Sequence, residues 1–496
     1  MAFVHNFPFF TIVLCMASGV ITSVLHGKVA KHVCNITLFI VTLMSAALFF
    51  DTANTQATII YQMGNFPAPW GNELRASVLE ALMAMIFCVI MFFSLIGGRV
   101  YLEREIEEKR QPLYYVIVQL LMSSLLALIY TNDLFTAYVF VEINTIASCG
   151  LIMIRMNGKT IEAAIRYMIM SLLGSGLFLL GISMMYACTG HLLMSNIRVD
   201  VALLMADGTY SVPVMVSIAC MTIGIAIKTA LYPFHSWLPD AYGYSTVCSS
   251  AILSSLVSKG YLFLLIKIFY RTVGIDVMYE SGMFNILFVF GLLGMIRGSV
   301  NAMQENDIRR MVAYSSVAQI GYIYMGFGLG STAGMVASIF HIITHGITKS
   351  LLFIAVMGLT DVSGYSRRFF DLTGAGFRNK IAGLAFMVGA LSMVGIPTLS
   401  GFISKLLFSQ AAIFSNEKMI ITLIFIATST IYNAVYFMKT VIRIYTPVKT
   451  DYPNILFGLQ KLNSIGLLLF VVLNFAVGML SQPLVDMIEL GLVHFI

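Results

Sequence analysis

Residues 223–241 most constrain the fold of this chain, and they read Ile-Gly-Ile-Ala-Ile-Lys228-Thr-Ala-Leu-Tyr-Pro233-Phe-His235-Ser-Trp-Leu-Pro239-Asp-Ala. The stretch begins as an apolar helix, but two prolines six residues apart interrupt the hydrogen-bond ladder of any regular helix. At membrane depth, free backbone groups are tolerated only where they are buried in protein or line a cavity. Lys228 lies about one turn before this break, so we expect it to exchange protons with water there.

The composition of the whole chain supports a membrane protein. Apolar residue types make up 59% of the 496 residues and charged types only 10%, whereas a soluble globular protein carries about 25% charged residues. These values exclude a soluble or disordered protein. They also exclude a nucleic-acid binder, because the net charge of +6 is dilute over the chain. The remaining class is a polytopic protein whose environment is the lipid bilayer.

Apolar runs of about 20 residues, the length that crosses a bilayer core of about 30 Å, recur along the chain. The fold class predicted is therefore an all-α polytopic membrane protein with about fourteen transmembrane helices. The predicted spans are centred near residues 17, 42, 88, 121, 144, 175, 221, 258, 290, 318, 345, 395, 430 and 473.

The basic residues indicate the orientation of these spans. Of the 29 lysines and arginines, 20 fall in loops on one side and only four in loops on the other. Cytoplasmic loops carry the excess of basic residues, so we predict the cell (inner or plasma) membrane, with both termini on the outer side. The four outer basic residues are Arg75, Arg198, Arg271 and Lys418.

The five remaining basic residues lie inside apolar segments, where each charge costs at least about 2.5 kcal/mol on insertion scales. Lys267 is near the outer end of its span, and we expect it to extend to the membrane interface. The other four require a function, which we predict to be proton translocation. The five are Lys228, Lys259, Lys267, Lys349 and Lys405.

Glu142 is a carboxylate inside a predicted span. At 1.5 Å per residue it lies roughly 13 Å beyond the helix start at Asp133, near the bilayer midplane. It is either a titrating site beside a cation or a neutral, hydrogen-bonded core residue. Lys259 follows Ser258 in a stretch rich in hydroxyl groups that could hold the ammonium or water.

The segment His341-Ile-Ile-Thr344-His345-Gly-Ile-Thr-Lys349 places three titratable groups on one helical face, at i, i+4 and i+8. Two histidines at this spacing can bind zinc. No glutamate follows the first histidine and no third ligand is near, so we predict no metal site. A proton relay is favoured, since histidine titrates near neutral pH; ordinary packing histidines are the alternative.

A second interrupted span reads Gly-Ile-Pro397-Thr-Leu-Ser-Gly401-Phe-Ile-Ser-Lys405. Two broken spans with one lysine each are typical of transporters built from inverted repeats. We predict two inverted five-helix repeats, with helices 7 and 12 broken. The predicted domains are three helices at 1–110, the repeats at 111–272 and 281–446, and a fourteenth helix at 447–496.

Three motifs resemble the antiporter-like subunits of respiratory complex I, Mrp-type sodium/proton antiporters and membrane-bound hydrogenases. They are the Lys228 stretch, the Lys405 stretch and Asn306-Asp-Ile-Arg-Arg-Met-Val-Ala-Tyr-Ser-Ser. Length and predicted span count look most like the Mrp D subunit or the middle proton-pumping subunit of complex I. The resemblance implies two half-channels joined by a hydrated polar axis in mid-membrane.

The same resemblance assigns roles to individual residues. It implies that Glu142 pairs with Lys228, that Lys259 belongs to the central relay, and that Lys405 lies near the exit. His341 and His345 would link the two half-channels. Supporting positions are expected at His235, Ser258 and Thr344, and helix breaks at Pro233, Pro239, Pro397 and Gly401.

The function predicted from these observations is proton translocation by one subunit of a hetero-oligomeric membrane complex. The host is open among an Mrp-type cation/proton antiporter, a membrane-bound hydrogenase and a complex I-like NADH or ferredoxin oxidoreductase. Protons are the expected ion, with sodium as the second candidate. The cysteines form no CxxC pair and no nucleotide loop or nucleophile motif occurs, so we predict no cofactor and no active site of its own. A stand-alone secondary transporter and a passive membrane scaffold are the competing classes.

Overall fold

The computed structural model describes residues 3–68, 70–415, 417–447 and 461–495, and most of them are helical. Residues 448–460 of the predicted C-terminal segment lie outside this description. In chain order the helices are α1 Phe7–Ser23, α2 Gly27–Thr55, α3 Val78–Glu105, α4 Gln111–Tyr130, α5 Leu134–Met153, α6 Gly158–Thr189, α7 Met194–Asp207, α8 Ser211–Lys228, α9 Leu238–Tyr244, α10 Val247–Val273, α11 Ile275–Glu280, α12 Met283–Gln304, α13 Ile308–Gly328, α14 Thr332–Asp361, α15 Ala375–Arg378, α16 Lys380–Val394, α17 Ser400–Ile413, α18 Met419–Ile444, α19 Lys461–Met479 and α20 Ser481–Val493.

The described residues include one small sheet. Strands β1 Ile59–Gln62 and β2 Glu73–Ala76 pair in antiparallel register between α2 and α3, with Ile59 opposite Ala76. This hairpin places Arg75 close to the start of α3, on the side of the bundle that the charge bias assigns to the outside.

Eleven helices of the described chain are long and apolar enough to span a membrane, and twelve if the pair α19–α20, bent by 75°, forms one span. The predicted all-α polytopic fold is confirmed, whereas the count of fourteen stays a prediction. Two predicted spans account for the difference. The one near residue 318 is α13, which opens with Arg309 and Arg310, and the one near residue 395 is divided between α16 and α17.

Two helices form the centre of the bundle. Every residue of α10, and every residue of α14 from 334 to 360, is buried. A helix buried on all sides contacts protein rather than lipid, and α14 packs against α3, α10, α13, α16, α17 and α19. These two helices carry Lys259 and the His341–Lys349 stripe, so the charged side chains lie on the axis of the bundle.

The first predicted break is present. Helix α8 ends at Lys228 and α9 begins at Leu238, with Pro239 in its first turn. Proline is well accepted there, because that position lacks an intrahelical acceptor for its N–H anyway. Pro239 therefore starts a helix, and Pro233 lies in the non-helical connection.

The second break is equally well defined. Helix α16 ends at Val394, Gly395 has a φ of 92°, and α17 begins at Ser400. A Cβ atom added to Gly401 would lie 1.8 Å from the carbonyl oxygen of Ser392. Only glycine permits this contact, so the start of α17 packs directly on the end of α16. Pro397 lies in the connection between them.

Candidate functional site: a buried series of lysine and histidine side chains

The four lysines predicted to carry protons lie inside the bundle. Their exposed fractions are 1% for Lys228, 0% for Lys259 and Lys349, and 9% for Lys405. Among the described residues, none of them forms an ion pair with a carboxylate. Buried charges are normally paired, so four unpaired amines mark a site rather than a stabilising network.

Lys228 is held by a hydroxyl group and an aromatic ring. Its Nζ donates to Thr145 Oγ1 at 2.7 Å, and the ring of Tyr261 lies 5.5 Å away. The Tyr261 hydroxyl lies 3.4 Å from Thr145 Oγ1 and donates to Asn144 Oδ1 at 3.1 Å. Hydrogen bonds thus join the end of α8 and the middle of α10 to adjacent residues of α5.

Glu142 lies at the edge of this network. The implied pair with Lys228 is not formed as a direct contact; Thr145, one turn further along α5, accepts the lysine instead. Glu142 shares its face of α5 with Val139 and Ile146, which are exposed. Its Oε1 atom is buried and has no hydrogen-bond partner among the described residues. The carboxylate therefore lies between the bundle interior and its lateral surface.

Lys259 lies directly after an irregular turn in α10. Residues Leu253–Val257 are π-helical, and such insertions are frequent at functional sites. Lys259 Nζ donates to the Ser254 carbonyl at 2.5 Å and to Ser258 Oγ at 3.2 Å. The ammonium is thus turned back onto the carbonyl of the π-helical turn.

Helix α14 continues the series from α10. A Cβ atom on Gly346 would lie 3.1 Å from the Ser255 carbonyl oxygen, so the two backbones touch beside His345. The rings of His345 and His341 stack with centroids 5.7 Å apart and an interplanar angle of 15°. Both ring nitrogens of His345 are buried without a hydrogen-bond partner among the described residues. Buried polar atoms are normally satisfied, so this imidazole is available to exchange partners.

The last part of the series crosses to the broken span. His341 Nδ1 and Ser404 Oγ are 2.5 Å apart. The next residue, Lys405, donates to the Val394 carbonyl at 2.7 Å and to Thr430 Oγ1 at 2.9 Å. Val394 is the last residue of α16, and the carbonyls at a helix end lack intrahelical donors. Lys405 therefore caps the helix that the break terminates.

Three predicted residues lie beside this series. Lys349 donates to the Val312 carbonyl at 2.8 Å and to Ser315 Oγ at 2.5 Å, both in α13. Thr344 donates to the His341 carbonyl within α14, at 3.2 Å. His235 lies in the first break and contacts the Pro233 carbonyl, at 3.3 Å. Thr344 and His235 make only these local bonds among the side-chain hydrogen bonds of the described chain.

The buried series lies inside a region that known proteins share. Residues 131–431, which include every residue of the series, match the family described as "NADH:quinone oxidoreductase/Mrp antiporter, TM". The chain belongs to this family. It is 31% identical over 388 residues to an NADH-quinone oxidoreductase subunit N from Desulforudis audaxviator, covering 78% of this chain and 75% of the relative.

One further relative and one solved structure support this family assignment. The D subunit of a Na(+)/H(+) antiporter from Alkalihalophilus pseudofirmus is 26% identical over 416 residues, which cover 81% of this chain and 79% of the relative. A chain in the structure of the membrane-bound sulfane sulfur reductase, an archaeal respiratory membrane complex, has the same fold. The TM-score is 0.88 at 23% identity, over 100% of this chain and 98% of that one. The predicted family resemblance is confirmed, and this is a multi-pass membrane protein.

Several contacts in this antiporter family member were not predicted from its sequence. Thr145, Tyr261 and Ser404 connect the titratable groups, and only their position inside apolar runs signalled them. Lys267 was expected at the interface, but it is fully buried and donates to the carbonyls of Leu128, Ile129 and Thr131 at the end of α4. The expectation was wrong because the free carbonyls of a helix terminus attract a cation.

In the described chain no group of three or more metal-ligating side chains occurs.

Proposed function

We propose that this chain translocates protons as an antiporter-like subunit of a multisubunit membrane complex. The observation that carries the proposal is a set of four buried lysines that form no ion pair with a carboxylate among the described residues, together with two stacked histidines and hydroxyl groups that hydrogen-bond to members of the set. Charges inside the membrane are rare and mark ion pathways. The relay residues proposed are Glu142, Lys228, Lys259, His345, His341 and Lys405, with Lys349 beside them.

Repulsion between positive charges along this series couples the uptake of a proton by one group to its release from the next. A proton on Lys228 disfavours a second proton on a nearby amine, because two cations repel strongly in a medium of low effective dielectric constant. Each transfer therefore promotes release from the next group. Thr145 and Ser404 carry hydroxyls that both donate and accept, so they can pass hydrogen bonds along as the charge moves.

Glu142 is the proposed link to a neighbouring subunit. It lies on a lateral, apolar face of α5, where a second membrane protein can pack against the bundle. A change of charge in that neighbour would alter the balance between Glu142 and Lys228. Relatives named as subunits, and a chain of the same fold in a respiratory complex, support other membrane subunits as partners.

The remaining topology is part of the proposal. We assign the two five-helix repeats to 111–272 and 281–446, since a broken span is the fourth member of each. The excess of basic residues on one side supports the plasma membrane, with both termini outside. Names of relatives support both a sodium/proton antiporter and a quinone-linked oxidoreductase as host.

The test compares Glu142→Gln and Lys405→Ala in the intact complex. Everted membrane vesicles report proton movement through a pH-sensitive dye, and immunoblots report expression and assembly. We expect proton movement to be lost in both variants while assembly persists. Glu162→Gln is the matched control, because Glu162 is exposed and pairs with Arg166 at 2.6 Å. Full activity in both test variants would reject the proposal, and proton movement by the purified single chain would favour a stand-alone transporter.

A further inference from the structure

Three of the four outer-side basic residues meet in one cavity of about 580 Å³. Arg75 comes from β2, Arg198 from α7 and Arg271 from the end of α10, and Asp276 is the one acidic residue among the side chains that line it. The lining thus carries three positive charges and one negative charge, and Glu80, which pairs with Arg271 from behind the lining, reduces the local excess to +1. On the membrane side that is poor in cations, this concentration is unexpected and has no part in the proposed proton path.

Arg271 is the buried wall of the cavity. Its side chain is 2% exposed, its Nη1 lies 2.5 Å from Glu80 Oε1, and its guanidinium lies 4.1 Å over the ring of Phe495. Glu80 also accepts the Ser77 amide at 3.0 Å. Nε and Nη2 of Arg271 are buried and have no hydrogen-bond partner in the described part of the chain. One side of the guanidinium is thus fixed, and donors remain unused.

The other two arginines, Arg75 and Arg198, make few polar side-chain contacts with the rest of the described chain. Arg75 Nη2 donates to the His494 carbonyl at 3.2 Å, while its buried Nε has no partner among the residues described. Arg198 lies against Gly274, where an added Cβ atom would be 3.8 Å from Arg198 Nε. The ion pairs found within the described ranges do not involve Arg198. Arginine side chains from three separate elements therefore line one cavity, and two of them carry buried N–H groups without a partner among the described residues.

We propose that this cavity binds a phosphate-bearing anion. The planar guanidinium fork matches the geometry of phosphate oxygens and forms charge-assisted hydrogen bonds with them. The outer wall consists of Val199, Ala202 and Leu203 on an exposed, apolar face of α7. A charged recess beside an apolar wall fits a phospholipid, with its headgroup on the arginines and an acyl chain along α7. Inorganic phosphate shares the headgroup chemistry and lacks the apolar contact.

The experiment uses the purified complex reconstituted in nanodiscs of phosphatidylcholine. Phosphatidylglycerol or inorganic phosphate is added, and native mass spectrometry and the thermal unfolding midpoint report binding. The test variants are Arg198→Gln, which removes a charge, and Ala202→Trp, which fills the cavity and leaves the arginines in place. Lys418→Gln is the matched control, since Lys418 is on the same side outside the cavity and contacts the Gly328 carbonyl.

Three results are possible. Tight phosphatidylglycerol binding that falls in both test variants and is unchanged in Lys418→Gln supports a lipid site. For Arg198→Gln we expect a fall of at least about tenfold, the magnitude of one charge-assisted hydrogen bond. Equal protection by inorganic phosphate, with the same dependence on the variants, assigns the anion site to free phosphate. The proposal is overturned if neither phosphatidylglycerol nor inorganic phosphate binds, or if anion binding falls equally in Lys418→Gln. Proton movement is measured in parallel, so this outcome is independent of the proposed relay.

Discussion

Replacing Thr145 by valine removes the one hydroxyl that accepts the Lys228 ammonium among the described residues. The side chains are nearly equal in size, so the change acts on the hydrogen bond. A hydrogen bond to a charged group contributes about 1.5–3 kcal/mol, and each 1.4 kcal/mol is about tenfold in an equilibrium constant. Loss of this hydrogen bond should therefore weaken the placement of the Lys228 side chain by a factor of roughly one to two powers of ten in an equilibrium constant. We expect proton flux through the complex to fall at least about tenfold.

The assay is the initial rate of dye quenching in everted vesicles, normalised to assembled complex. Thr145 Oγ1 also donates to the Val141 carbonyl within α5, at 2.8 Å. Thr440→Val is the matched control, because buried Thr440 makes the same type of bond to the Tyr436 carbonyl, at 2.8 Å. Thr145→Ser keeps the hydroxyl and should restore most of the flux. An unchanged rate in Thr145→Val, or an equal fall in Thr440→Val, would refute the reasoning.

Two further predictions concern the second half of the series. Ser404→Ala removes the partner of His341 Nδ1 and leaves that buried nitrogen unsatisfied; we expect flux to fall several-fold with assembly intact, and a normal rate would separate His341 from the path. Gly401→Ala introduces a Cβ atom only 1.8 Å from the Ser392 carbonyl, so we expect the junction of the broken span to shift and complex yield on native gels to drop sharply. Wild-type yield of Gly401→Ala would show that this contact is not tight.

The sequence predicted the class of fold because that information is local. Apolar content and run length identify membrane helices, and the positions of Pro233 and Gly401 identify the two breaks through backbone sterics. The charged residues inside apolar runs were visible for the same reason. The span count was less certain, since α13 is long but too polar to qualify and α16 and α17 share one segment.

The connections between charged residues could not be predicted from sequence. Lys228 and Thr145 are 83 positions apart, and His341 and Ser404 are 63 positions apart. Such contacts depend on the rotation of each helix about its axis and on its depth beside its neighbours. Helix packing sets both quantities, through small residues such as Gly346 that let two backbones approach.

The amino-acid order alone thus established a polytopic helical protein, its two interrupted spans and the family of its motifs, because hydrophobicity and backbone restrictions act on each segment separately. Packing established the rest. It turned Glu142 toward a lateral face, buried Lys267 under the end of α4 and gathered three arginines from distant segments in one cavity. The reason is that a hydrogen bond or charge cluster requires distances of a few ångströms between segments, and only the assembled bundle fixes those distances.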